Sequence, residues 1–296
     1  MFGTRDSRER ETHDLDQPGQ RGPARQPERT DGEMTYEIYA IRYGHHDRPS
    51  SDNFIGGDAH DVLQPLDYFV WAIIGPGGPF IVDTGFEEAT GRKRGREMVH
   101  PVADGLKAIS IRADEVSNVI VSHMHYDHAG NHDLFAQARY HLQAVEMEYV
   151  TGRCMCFPYL RRSFEVDDVV AMVRKVFAGR VTFHQGEGEI APGITVHHIR
   201  GHTRGLQCIR VQTRRGPVVL AADAAHLYAH LDEGRIFPTT YNIAEVLSGY
   251  ETLNGLAPSP RHIVPGHDPQ VLERYPAARP GLEKWVVRLD VDPKPG

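Results

Sequence analysis

Cysteine is scarce: the 296 residues include three, Cys154, Cys156 and Cys208. A number that is small and odd argues against a disulfide framework. Cys154-x-Cys156 has no second Cys/His pair beside it, so ordinary thiols in an apolar loop are a better reading than a structural zinc site. No run reaches the ~18 apolar residues that a membrane span needs. The N-terminus also lacks the apolar core of a secretory signal. Cationic charge is not in surplus either: 33 Lys and Arg against 40 Asp and Glu leave a net −7, which speaks against a nucleic-acid partner. These absences leave the expectation of a cytoplasmic, soluble chain with neither nucleic acid nor membrane as partner. It is long enough to bury a sizeable core.

Large apolar side chains are missing from one end as well. Residues 1–33 are rich in Arg, Asp, Glu, Gln, Gly and Pro, with Met1, Phe2 and Leu15 as the exceptions. Such a stretch buries too little surface to offset its ordering entropy, so a disordered extension is expected there, followed by a catalytic domain over 34–296. From Tyr36 onward, short apolar runs alternate with helical stretches. Tyr68 to Ile74, Gly75 to Gly78 and Pro79 to Val82 read as strand, turn and strand. Ile243, Val246, Leu247, Tyr250, Leu253 and Leu256 recur at helical spacing, and Val166 to Phe177 has a similar pattern. This alternation predicts an α/β fold of sheets covered by helices.

Against that background His123-Met124-His125-Tyr126-Asp127-His128 stands out, three imidazoles and a carboxylate directly after the apolar run Val119 to Val121. Such donors suit zinc and similar divalent ions, and alternating positions can turn two toward one ion and two toward another. Three more loops carry a metal-competent side chain after a strand-like run: Gly201-His202-Thr203, Asp223 and Gly266-His267-Asp268. Sites in α/β sheets gather at the carboxyl ends of strands, so the four loops are expected to converge.

His123-x-His125-x-Asp127-His128, Gly201-His202-Thr203, Asp223 and His267 together resemble the ligand set of the metallo-β-lactamase superfamily. Phe80-Ile81-Val82-Asp83-Thr84-Gly85 resembles its early strand with Asp-Thr-Gly. The resemblance implies a four-layered αβ/βα sandwich with the metal site at the edge of the two sheets. It implies that His123, His125 and His202 hold one ion, that Asp127, His128 and His267 hold a second, and that Asp223 bridges them. Asp83 would orient ligands. The implied cofactors are two Zn2+ ions, with Fe, Mn or Co as alternatives. Two such ions share a water, lower its pKa and hold hydroxide against a substrate carbonyl. Asp127 would also pass a proton to the leaving group.

Asp223 where β-lactamases often carry Cys or Ser, and His125 where diiron flavoproteins have Glu, turn the resemblance toward other branches. Ser122 to Asn131 and Val218 to Ala225 look like the N-acyl-homoserine lactonase branch, which implies opening of a lactone ring. A thioester or other ester hydrolase of the glyoxalase II type is the alternative, and a mononuclear iron dioxygenase of sulfur compounds a third reading. Those lactonases place a tyrosine three residues after the bridging Asp. Here that position is His226, with Tyr228 nearest; His226 either serves as oxyanion donor or merely lines the pocket. Thr151 to Phe177, with Met155, Phe157, Tyr159, Leu160, Phe164 and Val169, reads as an apolar cap for an acyl chain or as packing onto the sandwich. Phe237, Tyr241 and Ile243 could shape the pocket or bury a helix. The expected partners are a small acyl lactone or ester and a second copy of the chain in a homodimer.

Overall fold

The fold is seen in a computed structural model, which describes residues 34–294. The expected extension at 1–33 lies outside them. Two sheets organise the chain. The first holds β1 (Glu37–His46), β2 (Leu66–Gly75), β3 (Gly78–Val82), β4 (Glu97–Met98), β5 (Asn118–Ile120), β6 (Arg139–Gln143) and β7 (Val181–His184). The second holds β8 (Gly188–Ala191), β9 (Ile194–His198), β10 (Gln207–Thr213), β11 (Gly216–Ala222) and β12 (Ile263–Pro265); β13 (Val286–Arg288) returns to the first. The strand orders are β13-β1-β2-β3-β5-β6-β7, with β4 beside β1, and β12-β11-β10-β9-β8.

Period-2 patterning decides how the sheets face each other. On β2, Phe69, Trp71 and Ile73 enter a core shared with Ile209 and Val211 of β10 and Val218 and Leu220 of β11. The intervening Tyr68, Val70 and Ala72 point to the opposite face, where Val102, Leu106 and Met172 cover them from helices. Val219 and Ala221 of β11 point outward to Val246, Tyr250 and Leu253 of the helix Ile243–Leu256. Helix, sheet, sheet and helix therefore form four layers. Each fully buried large side chain contributes about 1.5–3 kcal/mol.

The strands and helices expected from the sequence form within a few residues of their predicted ends. In the helix Ile243–Leu256, Asn242 caps the N-terminus by accepting the N–H groups of Ala244 and Glu245. Its apolar stripe is narrower than its spacing predicts. Val246, Tyr250 and Leu253 are buried, whereas Ile243 and Leu247 lie at the stripe's margin, 49% and 42% exposed. Among the described residues, no helix is long and apolar enough to cross a membrane.

Strand direction places the site. β3 and β5 run parallel. β11 and β12 run parallel, and β9 and β11 are both antiparallel to β10. The loops after β3, β5, β9, β11 and β12 carry Asp83, His123–His128, His202, Asp223 and His267 respectively, and these side chains meet at one edge of the sandwich.

Candidate metal centre

Donor atoms of His123, His125, His202 and Asp223 lie within 4.8 Å of one another, and so do those of Asp127, His128 and His267. Asp223 joins the two groups. Its Oδ2 is 3.1 Å from His202 Nε2 and 3.8 Å from His123 Nε2. Its Oδ1 is 2.9 Å from His267 Nε2 and 3.2 Å from His128 Nε2. Asp127 Oδ2 is 3.6 Å from both His128 Nε2 and His267 Nε2. Each oxygen of one carboxylate thus faces a separate pair of imidazole nitrogens, the arrangement a bridge between two ions would use.

The ring nitrogens that face away from the centre are committed elsewhere. His128 Nδ1–H donates to Asp83 Oδ2 at 2.7 Å, His202 Nδ1–H to the Thr239 carbonyl at 2.6 Å, and His267 Nδ1–H to the Asp67 carbonyl at 2.9 Å. These bonds select the tautomer whose Nε2 lone pair points inward. Asp83 also accepts the Ser122 N–H at 2.6 Å and its hydroxyl at 2.8 Å, tying the end of β3 to the start of the histidine loop. Two buried atoms, His128 Nε2 and Asp223 Oδ1, have no hydrogen-bond partner. Such atoms are costly to leave unmade. A divalent ion would satisfy both, and the imidazole and carboxylate donors suit zinc.

Electrostatics follow the same division. Burial holds His123 and His125 well below the ordinary imidazole range, in the neutral form a ligand needs. At His128 burial opposes the charge, but Asp223, Asp127 and Asp83 push its pKa well above that range.

Close backbone approach explains two glycines. A Cβ on Gly266 would lie 2.6 Å from the Ala222 carbonyl oxygen, so a side chain there would separate the loops carrying Asp223 and His267. Gly201, before His202, has φ +115° and lies against Val246 of the adjacent helix.

His226 and Tyr228 part company. His226 Nε2–H donates to Asp223 Oδ2 at 3.0 Å, and its ring stacks on Phe237 with centroids 3.8 Å apart. Tyr228 begins the helix Tyr228–Glu233, turns into the core between the sheets and has its ring under Arg274. It does not line the cavity over the metal centre.

That cavity, about 420 Å³, is walled mainly by polar groups, and an adjoining cleft that shares His125 and His202 with it is lined by Tyr159 and Leu160 of residues 151–177 together with Tyr149 and Tyr241. From that segment only Arg162 and Ser163 line the main cavity; Met155, Phe164 and Val169 pack against the outer core. Phe157 and Tyr159 are exposed. Tyr241 also packs on that core, against Tyr149, and Ile243 reaches solvent. The remaining walls of the main cavity include Leu66, Tyr68, Tyr126, Pro238 and three arginines, Arg48, Arg94 and Arg96. Cys154 and Cys156 join no group of donors among the described residues.

Sequence reasoning overlooked Glu146, in the helix Ala144–Thr151. It is fully buried; Oε1 accepts the Met124 N–H at 3.0 Å, and Oε2 accepts the Thr203 hydroxyl at 2.8 Å and the Gly205 N–H at 2.9 Å. One carboxylate therefore clamps the His123–His125 loop to the His202 loop. Nothing in local spacing distinguishes it from the exposed Glu148 nearby.

The sequence profile of the metallo-β-lactamase superfamily matches residues 61–273. The chain belongs to that superfamily. It is 27% identical over 178 residues to an N-acyl homoserine lactonase of a Bacillus species, covering 54% of this chain and 66% of that protein. To the N-acyl homoserine lactonase AttM of Rhizobium radiobacter it is 25% identical over 241 residues, covering 75% of this chain and 89% of the relative. The chain thus spans just under two thirds of the length of the Bacillus relatives, 66% and 63% for two of them. In fold it is similar to a crystal structure of a quorum-quenching N-acyl homoserine lactone lactonase, with TM-score 0.65, 23% identity and coverage of 80% of this chain and 94% of the other. It is also similar to AidC, a dizinc quorum-quenching lactonase, with TM-score 0.60, 14% identity and coverage of 80% and 92%.

Proposed function

We propose that this protein is a metal-dependent hydrolase that opens a lactone ring, with N-acyl-homoserine lactone the first substrate to test. The observation that carries the proposal is the Asp223 carboxylate, whose two oxygens each face a separate set of imidazole donors. The relatives named as N-acyl homoserine lactonases support the ester class. His123, His125 and His202 would hold one divalent ion, Asp127, His128 and His267 the other, and Asp223 both; zinc suits the donors, with iron, manganese or cobalt as alternatives. Ions held here supply Lewis acidity toward the carbonyl oxygen and a water that ionises near neutral pH.

The chain's own residues take the remaining roles. Asp127, on the cavity wall, would carry the proton to the leaving alkoxide. His226, stacked on Phe237, would turn its Nε2–H from Asp223 to the carbonyl oxygen as charge develops there. Ring opening breaks the acyl C–O bond, adds one water and leaves a hydroxy acid. A cytoplasmic location and a homodimer are parts of the proposal, tested by cell fractionation and by light scattering on the purified chain.

The test is a panel of lactones, thioesters and phosphodiesters assayed with zinc-loaded protein. Turnover of lactones above the other classes supports the proposal. Thioester cleavage with lactones untouched would give the activity to the glyoxalase II type. One iron per chain with oxygen consumption would place it among the sulfur dioxygenases.

A further inference from the structure

The cavity over the metal centre is lined by Arg48, Arg94, Arg96 and Arg162, an unusual wall for a pocket meant to hold a neutral acyl chain. One of the four is neutralised: Arg94 pairs with Glu165 at 2.8 Å and donates to the carbonyls of Arg162 and Phe164. Arg48 and Arg96 are half-buried and have no carboxylate within 4 Å among the described residues. Arg96 Nε–H donates to the Tyr126 hydroxyl at 3.2 Å, and Nη1–H to His46 Nε2 at 3.1 Å and the Arg94 carbonyl at 2.8 Å. Its Nη2 has no partner among the described residues. Arg48 donates through Nη2 to the Asp52 carbonyl, while its Nε is buried with no partner.

Half-buried guanidinium groups carry a desolvation cost, usually offset by an anion. The elements packed around these two supply mostly neutral oxygens and rings, with the Asp52 carboxylate near Arg48 and the Asp127 carboxylate near Arg96 but neither within 4 Å. Tyr68 and Tyr126 bring hydroxyls, and His46 is held neutral, pushed down to about 4 by burial and by Arg96. Among the described residues, the carboxylates on the cavity wall are Asp127 and Asp223, and both face the metal centre. The planar fork of an arginine matches carboxylate and phosphate bidentately.

We infer that the substrate carries an anionic group, a carboxylate or phosphate, beside its hydrolysable bond, and that Arg48 and Arg96 bind that group while the bond lies over the metal centre. The inference rests on the hydrolase proposal for the bond that is cut, but not for the charge that is bound. A lactone that carries such a group is then bound more tightly than its neutral counterpart.

Two experiments separate these claims. In the first, binding of glutarate and of glutaramate to the zinc-loaded full chain is measured by calorimetry. Both offer one carboxylate to the metals and differ only in the far group, anionic or amide. Glutarate is expected to bind at least about tenfold tighter, and Arg48→Met/Arg96→Met to erase the difference; equal binding to the wild type overturns the inference. If the double variant does not fold, the wild-type comparison and the single variant Arg48→Met still decide. In the second, a γ-lactone bearing a ring carboxylate is compared with its methyl amide. The acid should have a KM at least about tenfold lower, and a lower KM for the amide overturns the inference. Hydrolysis of neither would count against the hydrolase proposal, leaving the calorimetry to decide the anion site.

Discussion

Glu146 Oε2 accepts the Thr203 hydroxyl at 2.8 Å, across 57 residues of sequence, while its other oxygen holds the Met124 N–H. Between them these bonds set the separation of His125 and His202, whose ligand nitrogens stand 2.9 Å apart. Glu146→Leu leaves three buried donors unmade, each costing about 1–3 kcal/mol. We expect a fall in melting temperature and zinc affinity about 10–100-fold weaker. Glu146→Gln, which can still accept, should recover part of both. Zinc titration with a competing chelator checks this, and unchanged affinity in the Leu variant would refute the clamp.

Asp223→Ala should lose metal stoichiometry together with turnover, because its two oxygens face both groups of imidazole donors. His267→Ala should lose one ion and retain the other more tightly than Asp223→Ala does. Elemental analysis of the purified variants reads the difference; full metal content in both would remove Asp223 as a bridge. Chelation of the wild type should also lower its thermal stability, since ions that bind only the folded chain add about 2.7 kcal/mol at a hundredfold excess over Kd.

His226→Phe keeps an aromatic ring against Phe237 and removes the N–H. If that N–H stabilises the developing oxyanion, turnover falls about 10²–10³-fold with metal content intact. Steady-state rates on a lactone decide it. A rate within about twofold of wild type would leave His226 a wall of the pocket.

Asp168, half-buried near Glu87, Glu165 and Asp167, has its pKa raised to about 7, first by burial and then by those carboxylates. The ordinary value is about 3.9, so between the two the folded chain holds a proton that the unfolded chain has lost. The stabilisation is whole below about pH 4 and is lost as pH rises through about 7. Asp168→Asn should therefore raise the melting temperature relative to wild type more at pH 8 than at pH 4. Thermal melts across that range check the sign, and an equal shift at both ends would contradict it.

Trp71 is fully buried between the sheets, beside Phe69 and Ile73. Trp71→Ala should cost about 3–5 kcal/mol through lost burial and a residual cavity. Denaturant unfolding measures it; a cost below about 1 kcal/mol would mean that the two sheets close over the gap.

Much of this protein is written locally. Strand alternation and helical spacing specify their own elements, because the faces of β2 and of the helix Ile243–Leu256 depend on residues two to four apart. The metal ligands are legible for a similar reason: a histidine or aspartate after a strand carries its chemistry in its own side chain. What the sequence alone left open depends on who comes near. His226 reaches Asp223 while Tyr228 turns into the core, a choice made by the direction in which the chain enters the helix at Tyr228. Glu146 is a clamp only because three donors from two distant loops converge on it. Residues 151–177 have the composition of an apolar cap, yet Met155, Phe164 and Val169 turn to the outer core, Tyr159 and Leu160 line a side cleft beside His125 and His202, and arginines from β1's end, the β4 region and Arg162 line the main cavity. Composition reports how much apolar surface a segment has; only packing in three dimensions decides which surface it faces.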